Sequence, residues 1–540
     1  MQKKARPFPE KNSNTTCIEE KNMTLREKIG QTLFITVDGT EFSDELRYLI
    51  HEYKAGNAVL FKPNVDNKVQ LKKLCDDIRA CVLEETGYPA FIAIDQEGGG
   101  VTRLGDDCVN VPGAMALAAL GDPKYTYEAA RLTGKELRAF GINFNFAPVA
   151  DICNNPDNPV IGIRCAGETP EQVTENVLAA FKGFEDSGIA SAAKHFPGHG
   201  DTGMDSHISL PLIDKSLEQL EDTELIPFKA LIDAGCPGVM TAHILYPQIE
   251  EEKIPATMSR RIMTDILRNK LGFDGIVMTD SLEMEAIARF YGADKGAVAA
   301  LKAGCDMILT GKGREIIELE AKALEEAFRA GELSEEQLDL SVERILKYKA
   351  KYCRKPEGEA GLEENMTEAY ELRRRTITLV CGKLCPLGNN PLFCGPEDYR
   401  LNLVSNEKGS TETLPQRMIG KFGGREISFG NAPDDSLIER AVGLVRDSSC
   451  VVINTYNGHV FTRQLELSNA VIREADRLSI PVMAVALRNV TDLDRLLPCA
   501  AKIAAWDYST MTMAILEELF AGKFEPEGKL PVHLDCAESN

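Results

Sequence analysis

The run KHFPGHGDTGMDSH, from Lys194 to His207, gathers three of the seven histidines with Lys194, Asp201 and Asp205. Side by side, imidazole and carboxylate are groups that move protons near neutral pH. Asp280 ends the apolar run GIVMTDS, and Asp95 and Glu97 follow another apolar run in IDQEGG, with Arg103 and Arg164 not far along the chain. Taken singly, each Asp suits a helix cap or a loop anchor equally well. Together, the acids, the two arginines and the histidine-rich run describe a pocket for a neutral, hydroxyl-rich ligand. Zinc is the competing chemistry, because His195 and His199 are four residues apart with carboxylates nearby. That spacing binds metal only on a helix, which Pro197 and Gly198 prevent. No metal and no cofactor are expected, and Thr202 and Ser206 read as residues that simply hold the loop.

These groups need a scaffold that brings them to one face. Short apolar runs alternate with amphipathic stretches from residue 24 to about 350, the pattern of β/α units around a parallel sheet. Eight candidate strands can be marked: Thr32–Val37, Asn57–Phe61, Ala90–Ile94, Asn143–Val149, Ile189–Ala193, Gly238–Ala242, Gly275–Thr279 and Met307–Thr310. Eight units in this length predict an α/β fold with a (β/α)8 TIM-like barrel, whose chemistry sits at the strands' C-terminal ends. The histidine-rich run would be a long loop over the barrel mouth, starting at Lys194. Helix signals support the reading. Thr169 to Gln172 form a capping box with Pro170 at the first helical position, and Val173, Val177, Phe181 and Phe184 share a face before Gly188. Ser259 can cap a second helix that buries Ile262, Met263, Ile266 and Leu267.

The polar stretch RKPEGEAGLEEN, residues 354–365, reads as a linker. The expected organisation is a tail over 1–23, a barrel over 24–353, this linker, and a second α/β domain over 366–540. Strands of that second domain would include Cys450–Thr455, Val482–Leu487 and Lys502–Ala505, with a helix from Ser436 to Asp447. Gly420, Gly423 and Gly424 form no phosphate-binding fingerprint after a strand, and there is no internal repeat.

Composition narrows the partners. A net charge of -22 over 540 residues disfavours nucleic acid and anionic membranes. The first 25 residues lack the apolar core of a signal peptide, and no run of about 18 apolar residues follows, so the chain is expected to be soluble and cytoplasmic. Fifteen cysteines, mostly inside apolar runs, fit reduced core thiols. Cys381 and Cys385 form a CxxxC pair with no partner pair to complete a zinc site. No motif specifies an oligomeric state.

In this order, IDQEGG with Val101 and Arg103, NFAPVADI, NPVIGIR, KHFPGHGDTGMDSH, TAHILYP, PATMS and LGFDGIVMTDSLEM resemble the β-N-acetylglucosaminidase branch of family 3 glycoside hydrolases. EAYELRRRTITLV and ILEELFAGKFEPEGKLPVHL look like the ends of that family's αβα sandwich domain. The resemblance implies a retaining hydrolase of terminal β-linked N-acetylglucosamine acting on amino-sugar oligosaccharides or glycosides such as cell-wall muropeptides, a role in peptidoglycan recycling. It implies Asp280 as nucleophile, His207 as acid/base and Asp205 as the carboxylate that orients it. Asp95, Arg103, Arg164, Lys194 and His195 would hold the sugar. A retaining mechanism needs a nucleophile below the anomeric carbon and a proton donor by the leaving oxygen. A histidine can fill the second role, with Asp205 fixing its tautomer from two residues away. Two positions depart from the family pattern: Gly100 stands where arginine is usual, and Cys165-Ala166 replace the usual residues after Arg164. Three other readings remain: a β-N-acetylglucosaminide phosphorylase using the same residues, a β-glucosidase, and a non-catalytic sugar-binding protein. All assigned groups precede residue 285, so the second domain is expected to contribute no indispensable catalytic group.

Overall fold

The structure is a computed structural model and describes residues 23–203, 210–284, 287, 289–397 and 412–538. Eight short strands, β1 (Leu33–Thr36), β2 (Asn57–Leu60), β3 (Phe91–Ile94), β4 (Phe144–Asn145), β5 (Ala190–Phe196), β6 (Gly238–Thr241), β7 (Ile276–Met278) and β8 (Ile308–Leu309), lie in one sheet. Their order is β7-β6-β5-β4-β3-β2-β1-β8, and every pairing is parallel. A parallel bridge between Met278 and Met307 closes the cylinder. All eight strands fall where the apolar runs predict them.

β5 departs from expectation by running on to Phe196, so Lys194 and His195 stand on the strand rather than in the loop. Lys194 N donates to Pro148 O, Ala150 N donates to Lys194 O, and Phe196 pairs with Thr241 after a register shift. Ionic partners described below satisfy the two polar side chains. They permit charged residues where a strand rule based on apolar character stops at Ala193.

Alternation along each strand divides the core. Phe34, Phe91, Phe144 and Phe146 point inward and pack ring on ring, with centroids 5.2 to 6.4 Å apart. Leu33, Ile35, Ile92 and Ile94 point outward against the helices. Truncating one inner ring to alanine costs about 3 to 5 kcal/mol, since the cylinder cannot collapse into the void. Around it, the helix Pro170–Asp186 starts as its sequence implies, with Thr169 Oγ1 accepting from Gln172 N at 3.3 Å. The return bond of the box comes from Glu168 N to Gln172 Oε1, not from the N–H of Thr169. Ser259 Oγ accepts from Ile262 N at 3.1 Å, and the helix it opens, Arg261–Lys270, winds as a π-helix.

A second sheet holds β9 (Thr378–Gly382), β10 (Leu392–Pro396), β11 (Arg425–Phe429), β12 (Val451–Thr455), β13 (Val482–Ala486) and β14 (Ala501–Ala504). Its order is β11-β10-β12-β13-β14-β9, parallel except for β9 against β14. Leu392, Cys394 and Ile453 enter one helix-covered core, and Phe393, Val452 and Met483 the other, which makes an αβα sandwich. The first core continues into the barrel through Met115, Val149, Ile161 and Cys165. Arg373, on the helix Glu363–Thr376, pairs with buried Asp507 and donates to the carbonyls of Asn110 and Val111 at 3.1 and 2.9 Å. Among the described residues no helix is long and apolar enough to cross a membrane.

At the barrel floor the fully buried Lys349 amino group donates to Gln31 Oε1 at 2.7 Å and Gly56 O at 3.0 Å, and it lies over the Phe91 ring. Burial pushes it down to about 7. An unfolded lysine titrates near ~10.4, so between about pH 7 and 10 the unfolded chain binds a proton that the folded chain lacks. Stability therefore rises with pH across that window through this group. Urea midpoints at pH 7 and pH 9 should show a steeper rise in the wild type than in Lys349→Met. Parallel pH dependences would contradict a neutral lysine in the fold.

Candidate active site

β3 delivers Asp95 and Glu97 to the rim with Gln96 between them. Asn145, the last residue of β4, clamps Gln96: its Oδ1 accepts from Gln96 N at 3.0 Å and its Nδ2 donates to Gln96 O at 2.9 Å. Gln96 Oε1 accepts from Arg103 N at 2.8 Å, which sets that residue beside Asp95. The turn between them needs glycine at position 98, where φ is 98° and an added Cβ would lie 2.5 Å from Pro112 O.

Five side chains then alternate in charge. Lys194 Nζ lies 2.7 Å from both Asp95 Oδ1 and Glu97 Oε1. Arg164 grips Glu97 with both prongs of its guanidinium, Nε to Oε2 at 2.9 Å and Nη2 to Oε1 at 2.7 Å. Arg103 Nη2 stands 3.7 Å from Asp95 Oδ2. Lys194 is 2% exposed, and burial alone would push it down, but Asp95 and Glu97 outweigh this and leave it above the usual lysine value. Burial likewise opposes ionisation of Glu97, yet Arg164 and Lys194 hold its carboxyl far below the usual range.

His195 is fixed from the other side. Its Nδ1 lies 2.7 Å from Asp151 Oδ2, and Asp151 Oδ1 accepts the N–H groups of His195 and His199 at 3.2 and 2.7 Å. His195 Nε2 faces Arg164 Nη2 at 3.5 Å, joining this unit to the ion lattice. His199 Nδ1 meets Thr202 Oγ1 at 3.0 Å, and burial together with neighbouring His195 pushes this imidazole down to about 4, so it is neutral.

Asp280 follows β7 at the same end of the barrel and accepts from Ser281 N at 2.7 Å. Burial pushes its carboxyl up, but His195, His243, the Ser281 N–H and Lys194 outweigh burial and hold it below the usual carboxylate value. The carboxylate is therefore ionised at neutral pH, within the field of Lys194.

The sequence-derived residues Asp95, Arg103, Arg164, Lys194 and His195 thus form one connected network, with Asp280 in its field. Asp205 and His207 lie outside the described residues. Reasoning from sequence left Glu97, Asp151 and His243 without roles, although each lies in a segment that carried the family resemblance: IDQEGG, NFAPVADI and TAHILYP. From the second sheet, Arg488 and Trp506 line a small cavity together with Glu97, Gly99 and Arg164. At Gly100 an added Cβ would meet nothing within 4 Å, so a side chain at this position has room beside the rim. Cys165 packs into the core shared by barrel and sandwich, where its Sγ lies 3.1 Å from Gly162 O.

The family model described as glycosyl hydrolase family 3 N terminal domain matches residues 24–348. Beta-hexosaminidase A of Pseudoalteromonas piscicida is 39% identical over 346 residues, which are 60% of this chain and 57% of that protein. The beta-hexosaminidase of Thiobacillus denitrificans is 38% identical over 283 residues, 51% of this chain and 77% of that protein. A solved β-N-acetylglucosaminidase of glycoside hydrolase family 3 from Paenibacillus sp. str. FPU-7 superposes with a TM-score of 0.87 at 37% identity, covering 95% of this chain and 99% of that one. The chain belongs to glycosyl hydrolase family 3.

Proposed function

We propose that this protein is a retaining β-N-acetylglucosaminidase. It hydrolyses terminal β-linked N-acetylglucosamine in amino-sugar glycosides through a covalent glycosyl-Asp280 intermediate, with Asp205 and His207 handling the proton. The observation that carries the reading is an ionised carboxylate just past the seventh strand, at the same end of the barrel as a fixed lattice of hydrogen-bond donors. The names of the hexosaminidase and N-acetylglucosaminidase relatives support the sugar.

The chemistry needs two bond exchanges. In the first, an Asp280 oxygen bonds to the anomeric carbon while the glycosidic oxygen leaves and takes a proton from His207. In the second, water replaces Asp280 and gives its proton to His207. Asp280 suits the first step because its charge is already present and needs no base to expose it. Lys194 has three donors and spends two on Asp95 and Glu97, so one remains for a sugar oxygen. The lattice around it makes that donor rigid, the condition under which a hydrogen bond is worth most to a transition state.

A 2-deoxy-2-fluoro sugar with a good leaving group should trap the intermediate on Asp280 and on no other acid, and Asp280→Ala should remain folded but inactive. Peptide mass mapping that finds the label on Asp95 or Asp151 would overturn the assignment. Running the same turnover with and without phosphate separates hydrolysis from phosphorolysis.

His207→Ala should slow cleavage of a GlcNAc disaccharide far more than release of nitrophenolate, because general acid catalysis supplies about 10² to 10⁴-fold only where the leaving group needs a proton. Azide should then restore turnover of the nitrophenyl substrate. Equal slowing of glycosylation for both substrates without azide rescue would assign the proton elsewhere.

Glu97→Gln keeps the volume but removes the anion that Arg164 and Lys194 share. KM for an aryl β-GlcNAc should rise by about tenfold, ~1.4 kcal/mol in binding, and thermal unfolding should come earlier. An unchanged KM in a folded variant would detach the lattice from substrate binding.

A further inference from the structure

His243, two residues beyond β6, is 2% exposed and has both ring nitrogens engaged. Nε2 lies 3.0 Å from Ser281 O. A carbonyl oxygen only accepts, so Nε2 carries the proton and donates. Burial favours the neutral ring, in which Nδ1 has only a lone pair, and it sits 2.8 Å from Thr257 Oγ1, whose hydroxyl supplies the hydrogen. Thr257 Oγ1 also lies 3.0 Å from Ala242 O, but one hydroxyl proton serves one acceptor. If it went to Ala242 O, Nδ1 would need the ring proton, and the lone pair of Nε2 would face the lone pairs of Ser281 O. Thr241 Oγ1, 2.8 Å from Thr257 Oγ1, completes a chain that donates in one direction, from Thr241 to Thr257 to His243 to Ser281. In such a chain each bond polarises the next.

Ser281 is thereby held at both ends. Its N–H donates to Asp280 Oδ1 at 2.7 Å while its carbonyl accepts from His243. We infer that His243 is a positioning residue for the nucleophile: through Ser281, whose carbonyl also sets its tautomer, it fixes the backbone that aims the Asp280 carboxylate, and the Thr241–Thr257 pair anchors the other side of the ring. The inference rests on the reading of Asp280 as nucleophile. Burial pushes the imidazole below its ordinary value, in keeping with a neutral ring that donates once and accepts once. With both nitrogens spent on protein atoms, His243 acts on the reaction only through Asp280.

The test compares full-length His243→Leu, His243→Gln and Thr257→Val with wild type, on a nitrophenyl β-GlcNAc and on the 2-fluoro sugar. Leucine fills the space without a donor, and kcat and the labelling rate should fall together by about 10²-fold, the cost of a small misplacement, with KM little changed. Glutamine carries an amide donor to about the position of Nε2 and should recover most of the loss. Thr257→Val leaves Nδ1 without its donor, so the ring loses one of its two anchors, and kcat should fall by about tenfold through a misplaced imidazole. If circular dichroism shows His243→Leu unfolded, the glutamine and valine variants decide. Wild-type kcat in Thr257→Val, or equal losses in the leucine and glutamine variants, would overturn the inference. The site of labelling in the wild type separates the two claims: a label elsewhere than Asp280 sinks the nucleophile and this role with it. A label on Asp280 with unchanged rates in all variants sinks the role of His243 alone.

Discussion

The ion lattice of Asp95, Lys194, Glu97 and Arg164 governs how the rest of this barrel mouth is built. Three of these groups are almost wholly buried, with Lys194 at 2% and the Arg164 and Glu97 side chains at 6% and 7% exposure. Charges taken out of water persist only with excellent pairing, since removing one partner leaves another uncompensated at a cost of about 3 to 5 kcal/mol. Such pairing tolerates no slack in the backbone. The clamp of Asn145 on Gln96, the glycine turn at position 98 and the extension of β5 to Phe196 each remove freedom from an element that carries one of the four charges.

The sandwich domain shares in this constraint. Its core is continuous with Ile161 and Cys165, which flank the turn that carries Arg164. Arg488 and Trp506 close the space behind that turn, and Thr491 Oγ1 donates to Pro156 O at 3.4 Å. Arg164 therefore stands between Glu97 in front and the second sheet behind. Beyond adding bulk at the barrel's side, the sandwich keeps the Arg164 turn from moving away from its anion, so it can support the site without lending it a reacting group.

The architecture is legible in the sequence because it rests on periodicity. Phe34 and Phe144 face inward, Leu33 and Ile35 outward, and this alternation marks strands without knowledge of partners. The site is legible only where residue type and element end coincide, as for Asp95 and Asp280. Lys194 and His195 read as loop because charged residues rarely occupy a buried strand, and what permits them here, Asp95, Glu97 and Asp151, lies some 44 to 99 residues away in the chain. Asp151 escapes for the converse reason, and Glu97 is placed at the pocket without its part in it: each acts by holding another site residue, and local sequence does not reveal such a role. Cys385 illustrates the same limit in the sandwich. Its CxxxC spacing marks Cys381 as the near cysteine in sequence, whereas the fold sets its Sγ 3.6 Å from that of Cys450, just before β12.

The lattice also bears on which histidine can carry a proton. A group that donates in one half of a retaining reaction and accepts in the other needs a value near neutrality and a nitrogen open to the substrate. Burial pushes His199 down to about 4, and its Nδ1 is occupied by Thr202. His243 spends both nitrogens on Thr257 and Ser281, and burial holds it neutral. His195 is bound through Nδ1 to Asp151, and its other nitrogen faces the guanidinium of Arg164, which cannot accept a proton. Under the proposed reading, the bonds and burial that hold His195, His199 and His243 in place leave none of them suited to pass a proton back and forth. Rigid binding and reversible protonation would then come from different segments, which is the division of labour that the proposed Asp205/His207 pair assumes.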